Sequence, residues 1–311
     1  MHLPLHLLIV SSLLSSAYSW GMLGHRTSAL LASRFLHPDA ARAVRAILKP
    51  QSLVSASTWA DYYAHTAEGR FSAPWHWIDA NDEPPHSCGV VVKRDCPTKE
   101  GCIVSAVGNH TRRVMALADG DREKGLSLRW VVHFLGDIHQ PLHTENLARG
   151  GNSIPVRFNG RHQNLHHVWD SSISEELVGG SSFRHAANWA DSLHAEILAG
   201  RFANVSASWG KCLDPSRAEE CAFQWATETN TWMCKYVLPM TWPDGFEDRE
   251  LNGTYYDGAV PIVEELVATA GFRMAGWLNA MFTGEDGMEG ILRAARDGLW
   301  ENELVEEGGE L

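Results

Sequence analysis

The chain is short of positive charge. It carries 26 Lys and Arg against 38 Asp and Glu, a formal net charge of −12. An acidic surface is a poor general binder of polyanions, which argues against a nucleic-acid scaffold held by backbone charge. Any polyanion handled here must be attracted locally, and bound metal ions supply such attraction because they are often the largest charges in a site. Internal repeats, low-complexity tracts and linkers are also missing, so the chain reads as one domain. After residue 19 no segment is apolar enough to cross a membrane.

The first nineteen residues, MHLPLHLLIVSSLLSSAYS, hold no Asp, Glu, Lys or Arg. Their leucine-rich run is too short to span a bilayer, and Ala17-Tyr18-Ser19 offers small residues where signal peptidase needs them. Residues 1–19 are therefore expected to be a secretory signal, followed by a domain over 20–290 and an acidic tail over 291–311 that ends in ENELVEEGGEL. Export suits the six cysteines, since an even number in a secreted chain favours disulfides. Of the fifteen possible connectivities, local pairing suggests Cys96–Cys102 and Cys212–Cys221, which leaves Cys88–Cys234 as the long-range bridge. Asn109, Asn204 and Asn252 head glycosylation sequons.

Helical periodicity dominates the remainder. It marks 25–36, 38–48, 54–65, 105–118, 126–139, 183–199, 218–235, 259–281 and 287–300 as helices, with loops at 80–104 and 236–258. Asn159-Gly160 between Ile154–Phe158 and Arg161–Asn164 predicts a two-residue hairpin. The expected fold is mainly α, with that small hairpin beside a histidine cluster.

The cluster is the chain's densest chemical signal. His133, His139, His143, His162, His166 and His167 fall within one stretch, with Asp137 and Asp170 beside them. His133/Asp137 and His166/Asp170 are each four residues apart, so on a helix each pair shares a face. Neutral imidazole and carboxylate are typical zinc donors. Two such pairs plus His143 suggest more than one ion. Upstream, Asp61 in Ser57-Thr58-Trp59-Ala60-Asp61 and His76 in Trp75-His76-Trp77-Ile78-Asp79 stand in ligand-like settings. Trp20-Gly21-Met22-Leu23-Gly24-His25 would become the N-terminus after cleavage, where a free amine and its own carbonyl can close a five-membered chelate.

Taken in order, WGMLGH, WAD, WHWIDA, VVHFLGDIHQPLH and NLHHVWD resemble the zinc-dependent single-strand nucleases and 3′-nucleotidases of the S1/P1 (type I) family, from Trp20 to about residue 280. The resemblance implies a single-domain helical fold like that of the zinc-dependent phospholipases C, and three zinc ions. One would sit on Asp61, His76 and His133, and a second on the Trp20 amine and carbonyl with His25. Asp137 would bridge these two, and His143, His166 and Asp170 would hold the third. Asp61 and Asp137 are the carboxylates closest to the implied chemistry. Trp77 is implied as a base-stacking platform and Asp79 as acceptor for a base N–H. The implied protein is a secreted monomer acting on single-stranded DNA, RNA and 3′-nucleotides, without a membrane partner. The chief alternative is a secreted zinc phospholipase C. In one respect the chain departs from the pattern: a basic residue common three positions after the Asp of WAD is Ala64 here, so either another cation, Arg70 or Arg149, takes its role or transition-state stabilisation rests more heavily on the metals.

Overall fold

A computed structural model describes residues 20–297. The proposed signal and residues 298–311 lie outside the described residues. The helices are α1 (Met22–Ser33), α2 (Pro38–Leu48), α3 (Leu53–Ala64), α4 (Val92–Asp95), α5 (Ile103–Ala116), α6 (Arg122–Asp137), α7 (Leu165–His167), α8 (Ile173–Val178), α9 (Phe183–Ala199), α10 (Ser206–Trp209), α11 (Ala218–Trp232), α12 (Thr254–Thr283) and α13 (Gly287–Asp297). Strands β1 (Pro155–Phe158) and β2 (Arg161–Asn164) form the hairpin.

Local chemistry starts these helices where the sequence says it should. Pro38 sits in the first turn of α2, where its missing N–H costs nothing, and the His37 side chain accepts from the Asp39 amide. Ser52 caps α3 by accepting from the Ser55 amide, and Asp121 caps α6 through Glu123. These side chains satisfy amides that a helix end leaves bare. In the hairpin Asn159 and Gly160 both have positive φ, 53° and 72°, as the favoured two-residue turn requires.

Packing then brings α1, α3 and α6 together. α1 lies against α12, α9 and α3, and α6 lies against α3 and α5. α6 is apolar around its last two turns, and Trp130 through Asp137 are all buried. A helix buried on every side must pair its polar groups inside the protein. That requirement positions the histidine cluster.

Several helix boundaries shift from the sequence reading by two to five residues, α6 starting at Arg122 rather than 126, and the expected loop at 80–104 contains α4. α12 begins at Thr254 rather than 259 and carries Pro261 within it. The early start is held by tertiary contacts: the Tyr255 hydroxyl donates to the Val237 carbonyl and accepts from the Trp169 indole. A short 3-10 helix, Arg70–His76, has no 3.6-residue repeat to read and carries Pro74 within it, because a 3-10 helix turns once every three residues. All three disulfides pair as expected, with Cys88–Cys234 tying the loop after Trp77 to the end of α11. α13 runs to Asp297, and Ile291 is buried in the core.

Candidate metal centre

Five of the expected ligands converge from four elements. His25 comes from α1, Asp61 from α3, His76 from the end of the 3-10 helix, and His133 and Asp137 from α6. Asp137 is fully buried and presents its two oxygens to different partners. Its Oδ1 is 3.0 Å from His25 Nε2, while its Oδ2 is 3.0 Å from both His76 Nδ1 and His133 Nε2. Asp61 Oδ1 closes the group at 3.3 Å from His133 Nε2 and 3.5 Å from His76 Nδ1. The His25 and His133 rings stack at 4.2 Å.

A second group forms from His143, His166 and Asp170. His166 Nε2 is 3.1 Å from Asp170 Oδ2, and His143 Nε2 is 3.8 Å from Asp170 Oδ1. His166 lies in α7 and Asp170 in a π-helical turn over Val168–Ser172 that continues it. Such turns are rare and frequent at functional sites. The groups are coupled through the backbone: His143 Nδ1 donates to the His76 carbonyl at 2.8 Å, and the Ile78 amide donates to the His143 carbonyl at 2.9 Å.

The imidazoles are oriented for cations. His133, His143 and His166 each donate Nδ1–H to a carbonyl, of Ser57, His76 and Gly150 respectively. A neutral ring that donates from Nδ1 presents a lone pair at Nε2. Those lone pairs face carboxylate oxygens, a repulsive arrangement unless a proton or a metal lies between. His143 Nε2 is buried and has no hydrogen-bond partner among the described residues. Donors about 2.0–2.1 Å from a tetrahedral zinc stand about 3.3 Å from one another, close to the 3.0–3.5 Å separations around Asp137. The donor set fits metal ions.

Electrostatics tell the same story for the metal-free state. Burial alone would depress His133, but Asp137 and Asp61 outweigh it and raise its pKa well above the usual value. Burial would likewise raise Asp137, yet His133 and then the other imidazoles hold it well below the carboxylate range. A proton on His133 thus occupies the position a cation would take, and metal must displace it.

The remaining expected residues lie nearby or elsewhere. Trp20 is buried, and the next amide, Gly21, donates to the Asp170 carbonyl at 2.8 Å, so this segment is pinned beside the second group. Trp77 and Asp79 are half-buried on the strand-like segment after His76. Burial raises the Asp79 carboxyl, while a hydrogen bond from the Trp77 side chain pulls it down. Ala64 ends α3, and both Arg70 and Arg149 are exposed. The sequon residues Asn109, Asn204 and Asn252 are exposed. Three histidines of the dense stretch lie outside the groups. His139 is packed in the core, where its Nε2 accepts from Arg273, and His162 and His167 face solvent.

Sequence reasoning missed two supports. Gln140 donates to Asp170 and accepts from the Leu142 amide, which aims that carboxylate; its only signal is its place between His139 and Pro141. Gly136 leaves room for His25, because a Cβ there would stand 2.7 Å from its Nδ1. An aromatic-lined cavity of about 350 Å³ between α3, α5 and α6 contains none of the expected ligands.

Residues 20–283 match the family model described as S1/P1 Nuclease. The chain is 41% identical over 268 residues to Nuclease S1 of Aspergillus oryzae, covering 84% of this chain and 91% of that protein. It is 38% identical over 269 residues to Nuclease P1 of Penicillium citrinum, covering 86% and 99%. Endonuclease 4 of Arabidopsis thaliana is 30% identical over 289 residues, covering 89% and 93%.

Proposed function

The chain belongs to the S1/P1 nuclease family, and from that premise we propose that it is a secreted zinc-dependent endonuclease. In this reading it hydrolyses single-stranded DNA and RNA to 5′-phosphate products and removes phosphate from 3′-nucleotides at the same centre. The observation that carries the reading is the buried Asp137, whose two oxygens face imidazoles on opposite sides. Asp61, His76 and His133 would hold one zinc. His25 with the Trp20 amine and carbonyl would hold a second, with Asp137 shared between the two. His143, His166 and Asp170 would hold a third. Mixed imidazole and carboxylate donors suit zinc. When bound, zinc polarises phosphoryl oxygens and brings the pKa of a coordinated water near 7.

The chain's own side chains supply position and selection. The Nδ1–H bonds to backbone carbonyls fix the rings of His133, His143 and His166, and α6 holds His133 and Asp137 one turn apart. Trp77 offers a face on which a base can stack and Asp79 an acceptor for a base N–H. A base must leave a duplex to reach such a platform, so paired strands are disfavoured. In this reading the enzyme acts as a monomer. Secretion is supported by the leader-like residues 1–19 and the three disulfides. No helix among the described residues is long and apolar enough to cross a membrane.

The test is direct. Zinc-loaded protein is incubated separately with single-stranded DNA, RNA, a 3′-nucleotide and phosphatidylcholine vesicles, with and without chelator. We expect chelator-sensitive 5′-phosphate oligonucleotides from the first two, free phosphate from the third and no reaction with the fourth. Cleavage of the lipid alone would replace this reading with a phospholipase C.

A further inference from the structure

Ala148, Arg149, Gly150 and Gly151 all have positive φ, at 49°, 60°, 59° and 75°. Four consecutive residues in the left-handed region form a turn that L side chains rarely adopt. The glycines have steric reasons to be there. A Cβ at Gly150 would stand 2.7 Å from the Leu142 carbonyl, and one at Gly151 3.0 Å from the Leu142 side chain. Nothing in the backbone calls for arginine at 149, since asparagine takes this conformation more easily.

The turn has a definite place. The Gly150 carbonyl accepts from His166 Nδ1 at 2.6 Å. Just upstream, the Asn146 amide donates to the Ala80 carbonyl at 3.2 Å, and the Asn146 side chain to Asn81 Oδ1 at 2.9 Å. The turn therefore joins the His143–His166–Asp170 group to the segment that follows Trp77 and Asp79. The Arg149 side chain is exposed and makes no hydrogen bond or ion pair with a described residue. Arg70 is exposed too, but it opens the 3-10 helix that ends at His76, and a rise of about 2 Å per residue puts it about 12 Å away along that axis. Arg149 is one residue from a carbonyl that holds His166.

We propose that Arg149 is a substrate-binding residue, pairing with a phosphate of the strand that runs between Trp77 and the His143–His166–Asp170 group. The inference rests on the nuclease reading above. In a chain of net charge −12, an unpaired guanidinium at this position supplies local attraction, and its planar fork matches phosphate oxygens. The left-handed turn fixes the backbone from which the side chain extends, and no protein partner among the described residues competes for the guanidinium.

The experiment uses the full processed protein and two variants. Arg149→Asn removes the charge and keeps the left-handed turn, and Arg149→Lys keeps the charge without the fork. Cleavage kinetics on single-stranded oligothymidylate are measured beside equilibrium binding of its phosphorothioate analogue across a salt series. Arg149→Asn is expected to raise KM and Kd about tenfold, the scale of one charge-assisted contact, with kcat little changed. It should also lower the slope of log Kd against log salt by about 0.7, one single-strand phosphate contact. Arg149→Lys should restore most of that slope. An unchanged Kd and slope in Arg149→Asn, beside an active wild type, would overturn this inference and leave the nuclease reading intact. Weaker binding with an unaltered salt slope and no recovery in Arg149→Lys would overturn it in favour of base stacking. A fall in Tm with the loss of binding would overturn it in favour of a structural role. A wild type that neither binds nor cleaves the oligonucleotide would remove the nuclease reading and this inference together.

Discussion

Asp137→Asn removes one charge and little volume from the middle of the candidate centre. The amide keeps the shape of the carboxylate but faces three imidazole nitrogens that now lie 3.0 Å from its oxygens. In the metal-free protein the carboxylate helps to hold His133 protonated, so His133 has a raised pKa in the folded state. Stability from a raised base is fully present below its unfolded value near 6.5 and is lost as pH rises through the folded pKa. Asp137 itself is depressed, so its contribution is present above the ordinary carboxylate range and lost on acidification. The variant's penalty should therefore be greatest at mildly acidic pH, where both partners are charged, and should shrink towards alkaline pH. Breaking a buried pair of this kind costs about 3–5 kcal/mol. In zinc-loaded protein, metal content should fall by the ions that face Asp137, while the ion on His143, His166 and Asp170 is retained. Loss of an outer partner alone costs about 10–100-fold in affinity or activity, so turnover should fall by at least about a hundredfold here. Elemental analysis, single-strand cleavage and thermal unfolding across pH give the three readouts. Full metal content with near-normal turnover would refute the idea that one carboxylate serves two ions.

Trp77→Ala should weaken binding of single strands and nucleotides by about 1–3 kcal/mol, the usual worth of one stacked base, while sparing metal content; equal loss of zinc and binding would mark Trp77 as a packing residue. His110 gives a pH test away from the expected ligands. Burial, then Arg113, pushes its pKa down to about 4, so its contribution is present above pH 6.5 and is lost as pH falls towards 4. A shift of that size corresponds to about 3 kcal/mol. His110→Phe, in a site already walled by Trp75, Trp130 and Phe134, should flatten unfolding stability across that window relative to wild type. Parallel pH profiles for the two proteins would refute it.

Much of this protein was legible in one dimension. Helical spacing located most of the long helices, because burial of one helix face repeats every three to four residues whatever the neighbours are. Asn159-Gly160 marked its hairpin through the two positive φ angles that the turn demands. The motifs from WGMLGH to NLHHVWD identified the family, since chemistry tied to short segments survives as short strings. Other features depended on contacts between distant segments. Spacing does not separate His139, which serves the core through Arg273, from His143, whose Nε2 faces Asp170. The early start of α12 follows from Tyr255 meeting Trp169 and Val237. Gly136 reads as an unremarkable helix glycine until α1 brings His25 against it, and Gly150-Gly151 marks a turn without showing that Ala148 and Arg149 share its left-handed backbone. The sequence alone determined which donors are available and which helices carry them, because composition and periodicity are local. Only the tertiary structure decided which donors face one another, because a lone pair, a carboxylate and a carbonyl acquire their roles from partners that lie dozens of residues away.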